Sequence, residues 1–363
     1  MIIFGIIISA YLLWMFWIVS GLENYKKTTP ITNNVHSFSI IIPFKNEAEN
    51  LAMLLNSLQQ LDYDAEKFEI LLINDYSDDD SIEILKKHPF KGYKLLSNRL
   101  NPSKKGALLT GIKQAKFPWI VTTDADCEVP VYWLQSFDTL IGQQKPLMIL
   151  APVKFRDKLR FLQQFQQVEF MALQAITVAG VYWRKAFLSN GANLCFDKKT
   201  FFDLKTYEGN MQIISGDDVF LLEKFQRNHP GRISYAKTAL SVVKTACQKT
   251  PYNLIQQKIR WAGKMKFYHS ALPYISGGII FAGNLFLIPA IYLSFQNINY
   301  LFFPLIKFFS DILLLLRTKK FIPFKFNFFY FIAIFLIYPL YYLFILLMSF
   351  KGTYHWKGKR YQA

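Results

Sequence analysis

Residues 2–20 (IIFGIIISAYLLWMFWIVS) carry no charge, and as a helix rising 1.5 Å per residue they reach about 28 Å, the depth of a bilayer's hydrocarbon core. This run constrains the chain more than any other feature, because it reads as a membrane span. Lys26 and Lys27 follow the run, whereas a cleaved signal peptide has a basic start and a small-residue cleavage site. The sequence therefore predicts a retained anchor with its N-terminus outside and the following segment in the cytosol. Residues 272–296 and 328–350 form two further apolar runs of spanning length. Residues 299–316 are interrupted by Lys307 and Asp311, four positions apart on one helical face. That pair either turns toward protein or snorkels at the interface. Counting the run as a span or as a surface helix reverses the side of the basic tail 351–360, and charge alone leaves that side open.

Composition supports a membrane protein. Hydrophobic residues make up 52% of the chain and charged residues 18%, against roughly 25% charged in soluble domains. The net charge is +17, and residues 272–363 hold nine basic side chains and one acid. Cations flanking apolar runs follow the positive-inside rule and the pull of anionic membrane lipids. With no aromatic–basic recognition motif, nucleic acid is not an expected partner. Cys127, Cys195 and Cys247 are few and far apart, which argues against a disulfide scaffold and for a reducing compartment.

Between the anchor and the later runs the rhythm changes. Short apolar segments at 38–43, 69–74, 93–96 and 119–123 alternate with amphipathic stretches near 47–60, 79–87 and 104–115. Strands separated by helices imply parallel pairing through right-handed crossovers, hence a doubly wound α/β sheet. Such sheets bind ligands at the carboxyl ends of their strands. Those ends carry Pro43-Phe44-Lys45-Asn46-Glu47, Asn74-Asp75-Tyr76-Ser77-Asp78 and Thr123-Asp124-Ala125-Asp126-Cys127. Two carboxylates one residue apart on a loop suit a hard divalent cation that shares its oxygens with phosphate, although a solvated loop reads the same way. No G-x-G-x-x-G follows the first strand and no Walker A motif occurs, which argues against dinucleotide and P-loop sites.

The ordered set IIPFKNEAENL, LLINDYSDDDS, SKKGALLTGI, VTTDADCEVP, SGDDVFL and QKIRW resembles family-2 glycosyltransferases. The likeness is to the membrane-bound branch that includes cellulose, hyaluronan and poly-N-acetylglucosamine synthases, and it covers about residues 37–271. It implies a GT-A-type doubly wound mixed sheet with an N-terminal transmembrane anchor and C-terminal transmembrane helices. By this resemblance Asp75 bonds the uracil of a nucleotide sugar, with Pro43 and Asn46 in the same pocket, and Lys104 faces the nucleotide. Asp124 and Asp126 form the D-x-D that binds nucleotide and metal, Mg²⁺ or Mn²⁺, the second acid being the expected ligand. Asp218 is the catalytic base, preceded by Asp217. Gln257, Arg260 and Trp261 match Q-x-x-R-W, its arginine near the diphosphate and its glutamine and tryptophan toward the acceptor. Asn190 and Gly191, within SNGAN, belong to the acceptor region, where a tight turn is the alternative reading. Gly216-Asp217-Asp218 also reads as a helix N-terminus with acids set against its dipole. Asn74, Tyr76, Asp217 and Leu109 depart from the usual pattern, which puts substrate identity in doubt and leaves the reaction class intact.

Residues 252–270 form an amphipathic pattern: Leu254, Ile255, Ile259, Trp261, Ala262, Met265 and Tyr268 share one arc that Lys258 and Lys266 interrupt, while Gln256, Gln257, Arg260 and Lys264 lie opposite. Such a helix either lies at the membrane interface or simply leads into a span. Residues 159–178 show a milder apolar stripe that interfacial binding and core packing explain equally well.

The expected organisation is an anchor over 1–22, a cytosolic glycosyltransferase domain over 36–250, an interfacial helix over 251–271 and a membrane region with a basic tail over 272–363. The expected protein is a multi-pass enzyme of a bacterial inner membrane, transferring a sugar from a nucleoside diphosphate donor to a lipid or polysaccharide acceptor. At most four spans leave little material for a pore without a homo-oligomer or accessory subunit. The competing reading is a transport or scaffold protein that binds nucleotide without turning it over.

Overall fold

An apolar helix, α1 (Ile2–Asn24), precedes the seven-residue strand β1 (Phe38–Phe44), every residue of which is buried. A strand apolar without alternation is one covered on both faces, and β1 accordingly has parallel neighbours on each side. The computed structural model describes the chain apart from residues 31–34, 157–159, 212, 214–215, 351–352, 357–358 and 363, with backbone alone for 354–356 and 359–362. It divides into two compact units. Tyr25–Arg156 and Gly180–Ala246 form an α/β unit; Met1–Asn24, Asp157–Ala179 and Cys247–Ala363 form an apolar helical unit.

The α/β unit continues through α2 (Ala48–Gln59), β2 (Phe68–Asn74), α3 (Ser81–Lys87), β3 (Lys94–Ser97), α4 (Lys104–Gln114), β4 (Trp119–Thr122), α5 (Trp133–Gln144), β5 (Met148–Leu150) and β6 (Val153–Phe155). The chain then enters α6 (Phe161–Tyr182), most of which clusters with the apolar unit. It returns as β7 (Leu194–Asp197), α7 (Lys198–Asp203), α8 (Asp217–Asn228), β8 (Ile233–Tyr235) and β9 (Val243–Thr245). The principal sheet has seven strands in the order β3-β2-β1-β4-β7-β5-β8. β1 to β4 pair in parallel, as the alternating pattern predicts, while β7 runs antiparallel to both β4 and β5. The sheet is therefore mixed. Pairing of β1 with β4 ends at Ile41↔Thr122, two residues before Pro43, which suits a residue with no N–H to donate.

In the apolar unit α9 (Pro251–Gly263), α10 (Leu272–Leu285), α11 (Leu287–Ser294), α12 (Phe302–Lys319) and α13 (Phe328–Phe350) follow, then the hairpin β10 (Thr353–Trp356) and β11 (Lys359–Gln362). Among the described residues, four helical stretches are long and apolar enough to cross a membrane: Ile2–Asn24, Leu272–Ser294, Ile298–Lys319 and Phe328–Phe350. The third contains the interrupted run of the sequence. Lys307 Nζ lies 2.7 Å from Asp311 Oδ2, the Tyr11 hydroxyl donates to the same carboxylate, and Lys307 is only 3% exposed. Of the two readings of this pair, the structure shows the one turned toward protein.

The stripe on α6 is core packing. Phe165 is buried with Leu254 of α9 and Ile334 of α13. Lys258, which interrupts the apolar arc of α9 in sequence, is buried with its Nζ 2.5 Å from Glu169 of α6 and 4.3 Å from the Trp261 ring centroid. The charge is tolerated there because it is neutralised where it is buried.

Candidate active site

Because β1 to β4 are parallel, their carboxyl ends at Phe44, Asn74, Ser97 and Thr122 share one edge of the sheet. Antiparallel β7 starts where β4 finishes, in the register Thr122↔Leu194, so the preceding segment 189–193 arrives at that same edge. Helix α8 leads into β8, which is parallel to β5 and hence to β4. The crossover places the N-terminus of α8, with Asp217 and Asp218, at the carboxyl edge as well. Sequence positions more than a hundred residues apart meet through these directions.

At the β2 end Asp75 is 7% exposed. Its Oδ1 accepts from Asn98 Nδ2 at 2.7 Å and from the Ser103 amide at 3.1 Å. Asn46 has φ of 55°; its Nδ2 donates to Asp78 Oδ1 at 2.5 Å and its Oδ1 accepts from the Asp78 amide at 3.0 Å. Asn46 thus stitches the β1 and β2 loops together, while Pro43 is buried inside β1.

Ser103 caps α4, and the next residue, Lys104, reaches the acids. Its Nζ lies 2.5 Å from Asp124 Oδ1 and 3.6 Å from Asp217 Oδ2. Burial pulls the ammonium pKa down, but Asp124, Asp217 and Asp218 together outweigh it and raise it well above the usual lysine value. Asp126 is pushed up to about 6, first by burial and then by the charges of Asp124 and Glu47. The Thr245 hydroxyl donates to Asp126 Oδ2 at 3.2 Å, and Arg156 Nη2 donates to the Asp126 carbonyl at 2.6 Å. Glu128 and Lys244 bond through both backbones and through their side chains at 2.6 Å, which clamps the D-x-D loop against β9.

Helix α8 begins at Gly216, whose φ of 90° lies in the left-handed region that glycine tolerates. Asp218 Oδ1 accepts the Val219 amide at 2.8 Å, and its Oδ2 accepts the Gly191 amide at 3.1 Å. The Gly191 carbonyl in turn accepts from Thr122 Oγ1 at 2.8 Å. A methyl group at Gly191 would stand 3.2 Å from Asp217 Oδ2 and 3.4 Å from Lys104 Nζ, so only hydrogen fits without a shift. Asn190 closes the turn, its Oδ1 accepting from the Ala192 amide at 3.0 Å. The tight-turn reading of SNGAN therefore holds, and the turn lies beside Asp218 at the carboxyl edge of the sheet. Ser215, the first residue of SGDDVFL, lies outside the described residues.

The structure thus gathers Lys104, Asp124, Asp126, Gly191, Asp217 and Asp218, with Asp75 joined to Lys104 through the adjacent Ser103. Gln257, Arg260 and Trp261 are carried by α9 of the apolar unit. Gln257 Oε1 is buried and accepts no hydrogen bond among the described residues.

Sequence reasoning missed Lys105. It is 1% exposed, donates to the Asn210 carbonyl at 2.7 Å, and lies 4.7 Å from the centroid of Phe220, two residues beyond Asp218. A lysine at the polar start of a helix gives no sign that it will be buried. Glu47 was legible as part of the acidic rim, but its field on Asp126 was not.

The mixed sheet and flanking helices are GT-A-like. The solved mannosyltransferase PcManGT from Pyrobaculum calidifontis, in complex with GDP-Man and Mn²⁺, superposes with a TM-score of 0.57 at 17% identity, over 87% of this chain and 95% of that one. Residues 39–201 match the family model for glycosyl transferase family 2. Poly-β-1,6-N-acetyl-D-glucosamine synthase of Staphylococcus aureus (strain COL) is 26% identical over 273 residues, which are 68% of this chain and 61% of the relative. The Staphylococcus epidermidis protein of that name is 32% identical over 149 residues, 38% of this chain and 34% of its own. The chain thus spans 61% of the first relative's length.

Proposed function

We propose that this protein is a membrane-anchored inverting glycosyltransferase that moves a sugar from a UDP-linked donor to a lipid-linked or growing polysaccharide acceptor on the cytosolic face of a bacterial inner membrane. The observation that carries the reading is the cluster of Lys104 with Asp124, Asp217 and Asp218, beside Asp126, at the carboxyl edge of the sheet. The relatives' names support a polysaccharide product, and the four apolar helices support the membrane setting.

Lys104 is a fixed cation for the departing diphosphate. Each oxygen of Asp218 accepts one backbone N–H, which fixes the carboxylate. Asp218 takes the hydroxyl proton as the acceptor oxygen attacks the anomeric carbon. The bond to the diphosphate breaks on the opposite face, and the configuration inverts. Asp217 shares Lys104 with Asp124 and orients it. Asn190 and Gly191 border the acceptor; Arg260, Gln257 and Trp261 are assigned to diphosphate and acceptor by resemblance.

The donor set suits a divalent cation. Asp126 is pushed up to about 6 by burial and then by the charges of Asp124 and Glu47, and no cluster of three metal-ligating side chains occurs among the described residues. One or two carboxylates completed by substrate phosphate are the usual holding of Mg²⁺ or Mn²⁺, so Asp126, with Asp124, would hold it. The ion, when bound, neutralises charge developing on the diphosphate; Mn²⁺ in PcManGT supports this assignment.

The test is UDP release from radiolabelled UDP-sugars in membranes. Asp218→Asn is expected to slow release by roughly 10²- to 10⁴-fold while UDP binding is kept, and EDTA to abolish release until Mn²⁺ or Mg²⁺ is restored. Release by Asp218→Asn at the wild-type rate would discard the base.

A further inference from the structure

Tyr76 stands on the rim of the site. It is a non-glycine residue at φ of 57°, in the region L residues rarely adopt, and 51% exposed. Its surroundings hold it there. The Asp75 amide donates to the Phe44 carbonyl at 2.8 Å, and the Ser77 amide donates to Asn74 Oδ1 at 2.9 Å. The Tyr76 hydroxyl points to the Leu100 carbonyl at 3.4 Å, which stands the ring against the loop that also binds Asp75. A large ring kept half in water on an unfavourable backbone gains nothing from core packing. It does present an aromatic face beside a buried carboxylate.

That carboxylate is half committed. The bonds from Asn98 and Ser103 both fall on Asp75 Oδ1, which fills the two lone-pair sites of one oxygen. Among the described residues no hydrogen bond reaches Oδ2. One free acceptor matches the single imide N–H of uracil, whereas the paired N–H donors of guanine's edge want both oxygens.

We propose that Tyr76 is the nucleobase platform of this site, its ring stacking on the uracil whose imide N–H the free Oδ2 of Asp75 accepts. This rests on the reading of the site as a nucleotide-sugar site and adds the residue that selects and holds the base. Stacking on an aromatic side chain is tolerant of base identity, so Tyr76 supplies affinity and Asp75 the choice of pyrimidine. The strained backbone keeps the ring standing before ligand arrives.

The test measures UDP and GDP binding to the full chain in detergent with Mn²⁺, for wild type, Tyr76→Phe and Tyr76→Gly. Glycine accepts the backbone angle, so Tyr76→Gly is expected to fold with an equal or higher thermal midpoint. It is expected to weaken UDP binding by about tenfold, the loss of one stacking contact. Tyr76→Phe keeps the ring and should stay within about threefold of wild type. Wild type should prefer UDP to GDP by at least about tenfold, from the mismatched donor pair. Unchanged UDP affinity in Tyr76→Gly, or a loss in Tyr76→Phe as large as in Tyr76→Gly, would overturn the platform while leaving the proposed function standing. Equal affinity for UDP and GDP would overturn the base selection by Asp75. Wild type that binds neither nucleotide would remove the nucleotide-sugar reading together with this inference.

Discussion

Each unit sets a lysine against carboxylates, and the two arrangements differ in balance. In the apolar unit Lys307 meets one acid, Asp311, which also receives the Tyr11 hydroxyl. The ammonium lies 4.8 Å and 5.2 Å from the ring centroids of Tyr11 and Phe335. Charge is matched one to one and the group joins α1 to α12. In the α/β unit Lys104 faces Asp124, Asp217 and Asp218, with Asp126 and Glu47 beyond. There the acids outnumber the cation. A matched pair in a low-dielectric setting acts as a fastening, whereas several acids gathered around one cation mark a candidate functional site.

Three substitutions test that contrast, in order of effect. Lys104→Met should lower UDP-sugar turnover by on the order of 10²- to 10³-fold, the usual loss of one preorganised charge partner for a developing anion. Adding Asp124→Asn should restore stability but not turnover; recovery of the rate would mean that Lys104 only balances charge. Lys307→Met should act on the fold instead, lowering stability by about 1–2 kcal/mol, a modest figure because unfolded helices in a membrane find other partners. Lys307→Met with Asp311→Leu should recover most of it in detergent melts, with turnover per folded molecule unchanged throughout. The smallest effect on the fold belongs to Asp126→Asn, which should abolish the metal-dependent turnover yet raise the thermal midpoint of EDTA-treated protein by about 2–4 °C. A carboxylate crowded by Asp124 and Glu47 is kept for function at the expense of stability; a lower midpoint in scanning calorimetry would contradict this.

For a lysine whose pKa is raised in the fold, the stabilising contribution is complete below the unfolded value and fades only as pH climbs through the folded one. Lys104 is such a group, so its pairing should be constant between about pH 6 and 9.

What the sequence by itself determined is local. The uncharged run at 2–20 and the alternation of short apolar strands with amphipathic helices follow from backbone hydrogen bonding and side-chain period. From them came β1 to β4, α2 to α4 and the carboxyl edge as the place of the candidate site. The acids of that edge were legible because strand ends and D-x-D are contiguous in the chain. Tertiary structure decided the rest. The reversed direction of β7 brings Gly191 to Asp218, the fold of the 203–211 segment buries Lys105, and Glu169 of α6 turns the interrupting Lys258 into a core residue. The strain at Tyr76 also appears only when Asn74, Phe44 and Leu100 are in place. Each of these depends on partners distant in sequence, and a residue's burial, charge state and backbone angle are set by those partners rather than by its neighbours along the chain.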